Sequence, residues 1–377
     1  MPIKRLLFNQ LSERLQPNKV LILKGPRRVG KTVLLKEIAL TLPQEKTEFL
    51  NGEDVPTQEF LGKRSIAHFK NSLGSKKYIL IDEAQKVPGI GETLKLMVDS
   101  LEGIHIIISG SSSFDIQNRT GEPLTGRGIS FMIYPVCEQE IRPYEKISEH
   151  EDQLILRMVY GNYPELFSIP DLKLKEEYLR ELVSNLLMKD ILSLENIRNS
   201  SKLMNLLRLV AFQIGSEVSY HELGKQLAMS KNTVERYLDL LAKVFILYKV
   251  EGFSKNLRKE IVKNVRWYFY DNGIRNAVIS NFTPLSNRDD VGKLWENYII
   301  AERLKYQAYN RMAVNNFFWR TYDQQEIDWV EEREGKLFGY EMKWAAKKVK
   351  APGSWTKNYP EASFKVISKD NYLDFVS

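Results

Sequence analysis

The sequence predicts an α/β protein with three domains, at residues 1–145, 146–265 and 266–377. The chain of 377 residues is too long for one ordinary domain, and two or three are expected. Residues 18–136 alternate short apolar runs with helical stretches, and the next hundred residues change to helical periodicity. Continuous apolar runs indicate strands buried on both faces, which is typical of a parallel sheet covered by helices.

Strands of the first domain are short, rich in Ile, Leu, Val or Phe, and followed by turn residues. We expect them at Val20–Lys24, Thr47–Asn51, Tyr78–Asp82, Ile104–Ser109 and Ser130–Val136. The middle region is predicted to be helical, and a long helix at Val291–Met312 introduces the third domain. Strand-like stretches after this helix predict a second α/β domain.

Composition restricts the class of protein. A hydrophobic fraction of 43% and a charged fraction of 27% are typical of globular domains. A single cysteine, Cys137, excludes an internal disulfide framework and fits the reducing cytoplasm. The longest apolar runs have the length of strands, so we expect a cytoplasmic protein with no membrane partner. The net charge of +7 is compatible with DNA as a partner.

A glycine-rich loop follows the first strand and matches the pattern G-x-x-x-x-G-K-[ST]. The matching residues are Gly25, Pro26, Arg27, Arg28, Val29, Gly30, Lys31 and Thr32. Glycines allow backbone amides to surround phosphate oxygens, and the next helix points its positive end at them. Lys31 is expected to reach the terminal phosphates and Thr32 to join a Mg²⁺ shell. The loop therefore predicts binding of ATP, or another nucleoside triphosphate, with Mg²⁺.

The third strand, Tyr78–Asp82, ends beside this loop in two adjacent carboxylates. Asp82 is placed to hold Mg²⁺, directly or through water. Glu83 lies one residue further on and is a candidate general base for the attacking water. Acids also end strands simply because the next residues are solvated, and that is the alternative. With the loop upstream, we expect ATP hydrolysis.

Two further candidates for this site follow the acids. Ser109 and Ser111 lie where AAA-type ATPases carry a polar residue that positions the attacking water, and a plain serine-rich turn is the alternative. Arg127 lies near the last strand, and arginine stabilises charge on a transferred phosphoryl group. It would act in its own chain or from a neighbouring copy in a homo-oligomer. An ion pair unrelated to phosphate is equally compatible with the sequence.

The middle domain contains a helix–turn–helix pattern, with helices beginning after Ser219 and Ser230. Their apolar residues form one seam, which leaves an outward polar set of Lys231, Asn232, Thr233 and Arg236. A β-like segment, Ile246–Val250, follows where the wing of a winged helix would begin. This face is predicted to contact DNA, and a lid or docking face within the protein is the alternative.

The third domain carries a set of charged residues on a predicted helix and two predicted strands. Glu341 and Lys343 share one strand face, Asp328 lies on the partner strand, and Glu296 lies on the preceding helix. Carboxylates with a lysine can bind Mg²⁺ and activate water for phosphodiester hydrolysis. Salt bridges at a strand edge are the alternative reading of the same residues.

The whole chain resembles a prokaryotic family of AAA-type ATPases that carry a winged helix and a C-terminal domain similar to restriction endonucleases. The matching segments are Gly25–Thr32, Ile79–Glu83, Ser109–Ser111, Gly126–Arg127, Gly161–Glu165, Ser219–Leu241, Trp295–Asn297, Glu326–Asp328 and Glu341–Lys343. The resemblance implies a PD-(D/E)xK nuclease core of Asp328, Glu341 and Lys343, with Glu296 as its helical acid. The proline that names this motif is absent, because Ile327 precedes Asp328.

The resemblance therefore implies an ATPase that binds DNA and cleaves it with a divalent metal, under the control of ATP. The alternative function is an ATP-dependent switch that binds DNA or protein through the same domains and cuts nothing.

Overall fold

A computed structural model describes residues 3–110, 124–185, 200–254, 265–345 and 349–377. It divides into two compact units. The N-terminal unit comprises Pro2–Pro135 with Lys243–Phe245, and the C-terminal unit comprises Val136–Ala242 with Ile246–Ser377. In the described part of the chain, no helix combines the length and the apolar character needed to cross a membrane.

The N-terminal unit is built on a parallel sheet with the strand order β2-β3-β4-β1-β5. Its strands are β1 (Lys19–Lys24), β2 (Thr47–Asn51), β3 (Tyr78–Asp82), β4 (His105–Gly110) and β5 (Gly128–Met132). Its helices are α1 (Leu7–Glu13), α2 (Lys31–Thr41), α3 (Val55–Gly62), α4 (Ile66–Leu73) and α5 (Ile90–Ser100). The predicted parallel sheet is confirmed.

The central strands are buried, which explains why continuous runs of apolar residues in the sequence predicted them. Ile79, Leu80 and Ile81 of β3 are all fully buried, so both faces of this strand are covered. One face packs on Leu61, Phe69 and Leu94 of the flanking helices, in a cluster that also contains Ile79 and Ile81. β5 begins earlier than predicted, because Gly128 already pairs with Val20.

The C-terminal unit contains a sheet with the strand order β12-β11-β10-β9-β7-β8-β6. These strands are β6 (Glu217–Val218), β7 (Leu247–Gly252), β8 (Val265–Phe269), β9 (Asn315–Arg320), β10 (Glu326–Arg333), β11 (Lys336–Met342) and β12 (Ser363–Ile367). β7 pairs with β9 and β11 with β12 in parallel, and the other neighbours are antiparallel. Trp319, Ile327 and Trp355 belong to the apolar cluster at one part of this sheet.

Helices of the C-terminal part connect and cover these strands. They are α6 (Glu138–Ile141), α7 (His150–Tyr160), α8 (Leu172–Asn185), α9 (Ser200–Phe212), α10 (Tyr220–Leu227), α11 (Lys231–Lys243), α12 (Asn272–Val278), α13 (Val291–Tyr309), α14 (Gly353–Asn358) and α15 (Leu373–Val376). Short 3₁₀ turns lie at Gln44–Lys46, Ala84–Lys86, Arg142–Tyr144, Ile147–Glu149, Pro164–Phe167 and Leu285–Asn287.

The units differ from the predicted domain boundaries at 145/146 and 265/266. The first division lies at Pro135/Val136. No division separates residues 246–265 from those that follow, because β7 pairs with both β8 and β9. Strands joined by backbone hydrogen bonds pack as one unit, so the predicted middle and third domains share a single sheet.

The predicted helix–turn–helix segment forms helices where the sequence places them. The Ser219 hydroxyl accepts from the amide of Glu222 at 3.3 Å and caps α10. The Ser230 hydroxyl accepts from the amide of Thr233 at 3.1 Å at the start of α11. Both helices and β7 are confirmed as elements. The winged helix and its contact with DNA stay predictions.

An ion-pair network at the start of α13 depends on Asp290. Its carboxylate accepts from Arg275 at 2.6 Å and from Arg288 at 2.7 and 2.9 Å. Burial disfavours the ionised carboxylate and by itself would raise the pKa of Asp290. The hydrogen bonds and positive charges of Arg288 and Arg275 have the larger effect and lower this pKa to about 2. Because the folded-state pKa lies below the ordinary value of 3.8, this stabilisation is present above about pH 4 and is lost as the pH falls toward 2.

We therefore expect Asp290→Asn to lower the free energy of unfolding by about 1 kcal/mol at pH 7, after solvent screening of this half-buried group. The difference from wild type should shrink between pH 4 and the lowest pH at which both proteins still fold. Urea unfolding at pH 7, 5 and 3.5 measures both effects. Equal stability of the two proteins at pH 7 would remove the network's assigned role.

Candidate functional site

The loop between β1 and α2 is held in a tight curve. A Cβ atom on Gly25 would lie 2.2 Å from the carbonyl oxygen of Ile133, so only glycine fits there. Gly30 has a φ of +94° and no side chain to cap α2. The first amides of α2 therefore have no cap from this position, and they form an anion-binding helix end.

Two cations organise the loop from within. Lys31 is buried, and its ammonium donates to the carbonyl oxygens of Gly25 and Pro26 at 2.9 and 2.7 Å. Arg5 is also buried and donates to the carbonyl oxygens of Val29 and Tyr134. The role of Arg5 could not be predicted from the motif, because this residue lies outside it on the segment before α1.

Asp82 is the centre of a hydrogen-bond chain at the end of β3. The Thr32 hydroxyl donates to its Oδ2 atom at 2.6 Å, and the Ser109 hydroxyl donates to its Oδ1 atom. The Ser109 oxygen also accepts from the amide of Glu83 at 3.1 Å. The structure thus brings Thr32, Asp82 and Glu83 together through Ser109, which was one of two serines considered from the sequence.

Glu83 lies in a sharp turn that its neighbours hold. Its φ of +49° is in the left-handed region, which is uncommon for a residue with a side chain. A Cβ atom on Gly52 would lie 2.4 Å from the Glu83 carbonyl oxygen, so glycine is needed for this close approach. The Gln85 amide donates to the Glu83 carboxylate. Gly52 and Gln85 are therefore positioning residues that no sequence motif identified.

Arg127 does not lie at this site in its own chain, and its action from a neighbouring copy stays a prediction. Its carbonyl oxygen accepts from the amide of Val20, at the amino end of β1, whereas the phosphate loop follows the carboxyl end. The length of β1, about 15 Å, separates the two. Its guanidinium instead pairs with Asp99 at 2.7 and 3.0 Å. Ser111 lies outside the described residues.

The oxygen donors at the loop fit a Mg²⁺ ion that accompanies a nucleotide. The Thr32 hydroxyl and the Asp82 carboxylate are hard oxygen ligands held 2.6 Å apart. Asp82 is 6% exposed, so this pair is shielded yet adjacent to the loop. Mg²⁺ typically takes one or two protein oxygens and completes its shell with phosphate and water.

Two of the predicted acids of the C-terminal unit, Glu296 and Asp328, lie beside an arginine that the sequence did not identify. Arg266 of β8 lies 3.9 Å from Glu296, 3.8 Å from Asp328 and 2.8 Å from Glu326. The Tyr268 hydroxyl donates to Glu296 at 2.6 Å. We call Glu296, Glu326, Asp328 and Glu341 the acid cluster.

The remaining predicted residues lie at the same place. The Lys343 ammonium pairs with Glu341 Oε1 at 2.7 Å. Asp328 Oδ2 accepts from the amide of Met342 at 2.8 Å, which fixes this carboxylate against β11. In the described part of the structure, the Oε2 atom of Glu341 is buried and accepts no hydrogen bond.

The carboxylates of the acid cluster are buried and close together, which shifts their pKa values. Burial, then the charge of Asp328, raises the pKa of Glu296 to about 8. Burial, then the charge of Glu341, raises the pKa of Asp328 to about 6. Burial disfavours the charged ammonium of Lys343 and by itself would lower its pKa. The nearby carboxylates have the larger effect and raise the pKa of Lys343, and they are Glu341, Asp328 and Glu296.

This arrangement differs from the predicted metal centre of Glu296, Asp328 and Glu341. Among the described residues, no three His, Cys, Asp or Glu side chains are placed to hold a metal ion. The physical reason is that several of the oxygens are already engaged: a guanidinium lies against Glu296 and Asp328, an amide binds Asp328 and an ammonium binds Glu341 Oε1. The donor set in this geometry does not fit Mg²⁺.

Comparison with known proteins assigns the three parts of the chain separately. Residues 17–142 match the family described as an AAA domain. Residues 151–285 and 291–369 match two domains of unknown function, DUF8612 and DUF4143.

Relatives along most of the chain come from bacteria and archaea. An uncharacterized protein of Mycobacterium tuberculosis is 24% identical over 337 residues, which is 89% of this chain and 72% of that protein. One of Haemophilus influenzae is 24% identical, over 88% of this chain and 84% of its own. One of Methanocaldococcus jannaschii is 23% identical, over 88% and 76%.

Two solved structures are similar to this chain, with lower sequence identity than these relatives. The Pif1 helicase of Candida albicans matches 42% of this chain and 44% of its own, with 14% identity and a TM-score of 0.27. A signal transduction ATPase (STAND) protein of Pyrococcus horikoshii, with a tetratricopeptide repeat sensor, matches 82% of this chain and 48% of its own. Its identity is 12% and its TM-score 0.30. This chain thus spans less than half of either structure. The family match at residues 17–142, on a parallel sheet with a phosphate-binding loop, identifies that region as an AAA-type ATPase domain.

Proposed function

We propose that this chain is an ATP-driven, DNA-binding switch, with an acid cluster that does not cut DNA in the described arrangement. The observation that carries the ATPase part is the chain of hydrogen bonds from Thr32 through Asp82 and Ser109 to Glu83. It holds a metal-binding carboxylate and a neighbouring glutamate in fixed orientation beside the loop, as hydrolysis requires.

In this proposal the loop residues bind the nucleotide and Glu83 acts on water. Gly25–Thr32 surrounds the phosphates, and Lys31 exchanges its bonds to the Gly25 and Pro26 carbonyls for bonds to the terminal phosphates. Thr32 and Asp82 would hold Mg²⁺, which would supply positive charge to neutralise those phosphates. Glu83 accepts a proton as the water oxygen bonds to the γ-phosphorus, and the bond from phosphorus to the ADP oxygen breaks.

The proposed DNA contact is the polar face of α11. Lys231, Asn232 and Arg236 are exposed, whereas Val234 and Leu238 of the same helix are buried. Cations at the start of an exposed helix suit phosphate contacts, and an amide side chain suits base edges. The exposed acids Glu235 and Asp239 share this helix, which limits the positive patch and favours a lid or docking face as the competing role.

Metal-dependent DNA cleavage is the second candidate function. Glu341 and Lys343 lie together and Asp328 faces them from the neighbouring strand, which favours it. The pairing of Arg266 with Glu296, Glu326 and Asp328 favours the switch. We therefore propose the switch for the arrangement described.

The test is ATP hydrolysis with and without duplex DNA, together with the integrity of a plasmid in Mg²⁺ and ATP. We expect DNA to stimulate hydrolysis and the plasmid to stay intact. The double variant Lys231→Ala/Arg236→Ala should lose the stimulation and bind DNA more weakly, since each phosphate contact adds to affinity at low salt. Lys225→Ala, at an exposed lysine of α10, is the matched control.

Three outcomes would contradict parts of this function. Equal DNA binding by the double variant and the control would exclude the α11 face. Hydrolysis that ignores DNA would leave an ATPase with another partner. Plasmid cleavage that disappears in Lys343→Ala would replace the switch with a nuclease.

A further inference from the structure

Arg266 is buried at the middle of the acid cluster and is anchored by the sheet. It lies on β8, opposite Val250 of β7 and Glu217 of β6, so strands on both sides hold its backbone. Its guanidinium lies 4.5 Å from the centre of the Phe318 ring, and the residue is 3% exposed. A guanidinium held by strands and by an aromatic ring has little freedom to leave its place.

The charges around Arg266 do not balance. Glu326 forms the one close ion pair, at 2.8 Å, while Glu296 and Asp328 lie at nearly equal distances of 3.9 and 3.8 Å. Including Glu341 and Lys343, four carboxylates share two cations. The guanidinium is thus the common counterion of side chains from α13 and β10, rather than half of one pair.

The cluster also contains unused hydrogen-bonding capacity. In the described structure, the buried Oε2 atom of Glu341 has no partner, and neither has the Nε atom of Arg266. Glu341 is 8% exposed, so water does not readily satisfy this oxygen. A buried acceptor without a partner is costly, and such groups in native proteins usually have a functional reason. Such an excess of carboxylate oxygens would attract a metal ion unless a resident cation occupied the cluster.

We propose that Arg266 is the resident cation of the acid cluster and excludes a divalent metal ion from it. A divalent ion requires carboxylate oxygens at about 2.0 to 2.6 Å. One guanidinium nitrogen already lies 3.9 Å from Glu296 and 3.8 Å from Asp328, where such an ion would have to bind. The positive charge of the guanidinium also weakens the attraction of the carboxylates for a second cation. The inference rests on the proposed non-cleaving function and adds the residue that enforces it.

The test uses Mn²⁺ as the probe, measured by the loss of its free-ion signal in electron paramagnetic resonance without nucleotide. Arg266→Ala is expected to bind one more Mn²⁺ per chain than wild type. The double variant Arg266→Ala/Asp328→Asn should lose that ion. Arg320→Ala is the matched control, because Arg320 lies on β9 beside Glu326 in register but pairs with Glu217. It should bind Mn²⁺ as wild type does.

Removal of a buried arginine from three carboxylates can unfold the protein, so wild type supplies a second measurement. Wild type and Asp328→Asn should bind the same number of Mn²⁺ ions, because the cluster is closed in both. An ion bound by wild type and lost in Asp328→Asn overturns the proposal. A folded Arg266→Ala variant, judged by circular dichroism, that gains no Mn²⁺ also overturns it. DNA-stimulated ATP hydrolysis by wild type is measured separately, so failure of the proposed function is distinguishable.

Discussion

Glu83→Gln is expected to reduce ATP hydrolysis by at least about 100-fold, since a positioned general base contributes roughly this factor or more. ATP binding should remain, because Lys31, Thr32 and Asp82 are unchanged. The amide of glutamine keeps the size of the side chain but cannot accept the proton of water. Single-turnover hydrolysis and fluorescent-nucleotide binding, measured on the same protein, separate the two effects.

Two further variants sharpen this result. Lys31→Ala should lose nucleotide binding as well as hydrolysis, because the charge that reaches the terminal phosphates is gone. Glu102→Gln is the matched control, since Glu102 is exposed and precedes β4 at the opposite end of the sheet from Glu83. A Glu83→Gln rate equal to that of Glu102→Gln would show that Glu83 is not the base.

The nucleotide site could be predicted because its chemistry is local in sequence. Gly25–Thr32 is one continuous loop, and a buried strand ends in Asp82, so pattern and spacing are enough to bring them together. Ser109 was weighed against Ser111 because strand ends are predicted within a few residues, while one residue decides which side chain faces Asp82. The positioning residues Arg5, Gly52 and Gln85 act through backbone approach, for which sequence carries no motif.

The position of Arg127 away from the phosphate loop could have been predicted from the order of the strands along the chain. It precedes β5, whereas the phosphate loop follows β1, and the two strands are parallel. Parallel strands align their amino ends, so a residue before one strand lies far from a loop after its neighbour. Ligands of open parallel sheets bind at the carboxyl ends, which alone argues against a role of Arg127 within its own chain.

Only part of the acid cluster could be predicted, because some of its contacts join residues that are far apart in the sequence. Glu341 and Lys343 are two residues apart on one strand, so their pairing follows from strand geometry. Arg266 reaches Glu326 across 60 residues, from β8 to β10, which are not neighbouring strands in the sheet. Sequence periodicity reports whether a residue is buried and on which face, but not which distant strand lies beside it.

A buried ion network supports the largest expected change in stability. Arg157 of α7 donates to Glu138 at 3.0 Å and to the Tyr298 hydroxyl at 3.1 Å, and it also pairs with Glu145. Arg157 is 3% exposed and Glu138 is fully buried. The Tyr298 hydroxyl donates to Glu138 as well. One arginine is therefore the shared counterion of two glutamates, of which Glu138 is shielded from water.

We expect Arg157→Met to lower the free energy of unfolding by about 3 to 5 kcal/mol, because it leaves the Glu138 charge buried without its partner. The double variant Arg157→Met/Glu138→Gln should recover part of this loss, since the uncompensated charge is then removed. Arg180→Met is the control: Arg180 is exposed, and its pair with Glu176 at 3.3 Å should contribute no more than about 1 kcal/mol. Urea unfolding followed by circular dichroism ranks the three. If Arg157→Met unfolds at the same urea concentration as Arg180→Met, the network does not stabilise the C-terminal unit.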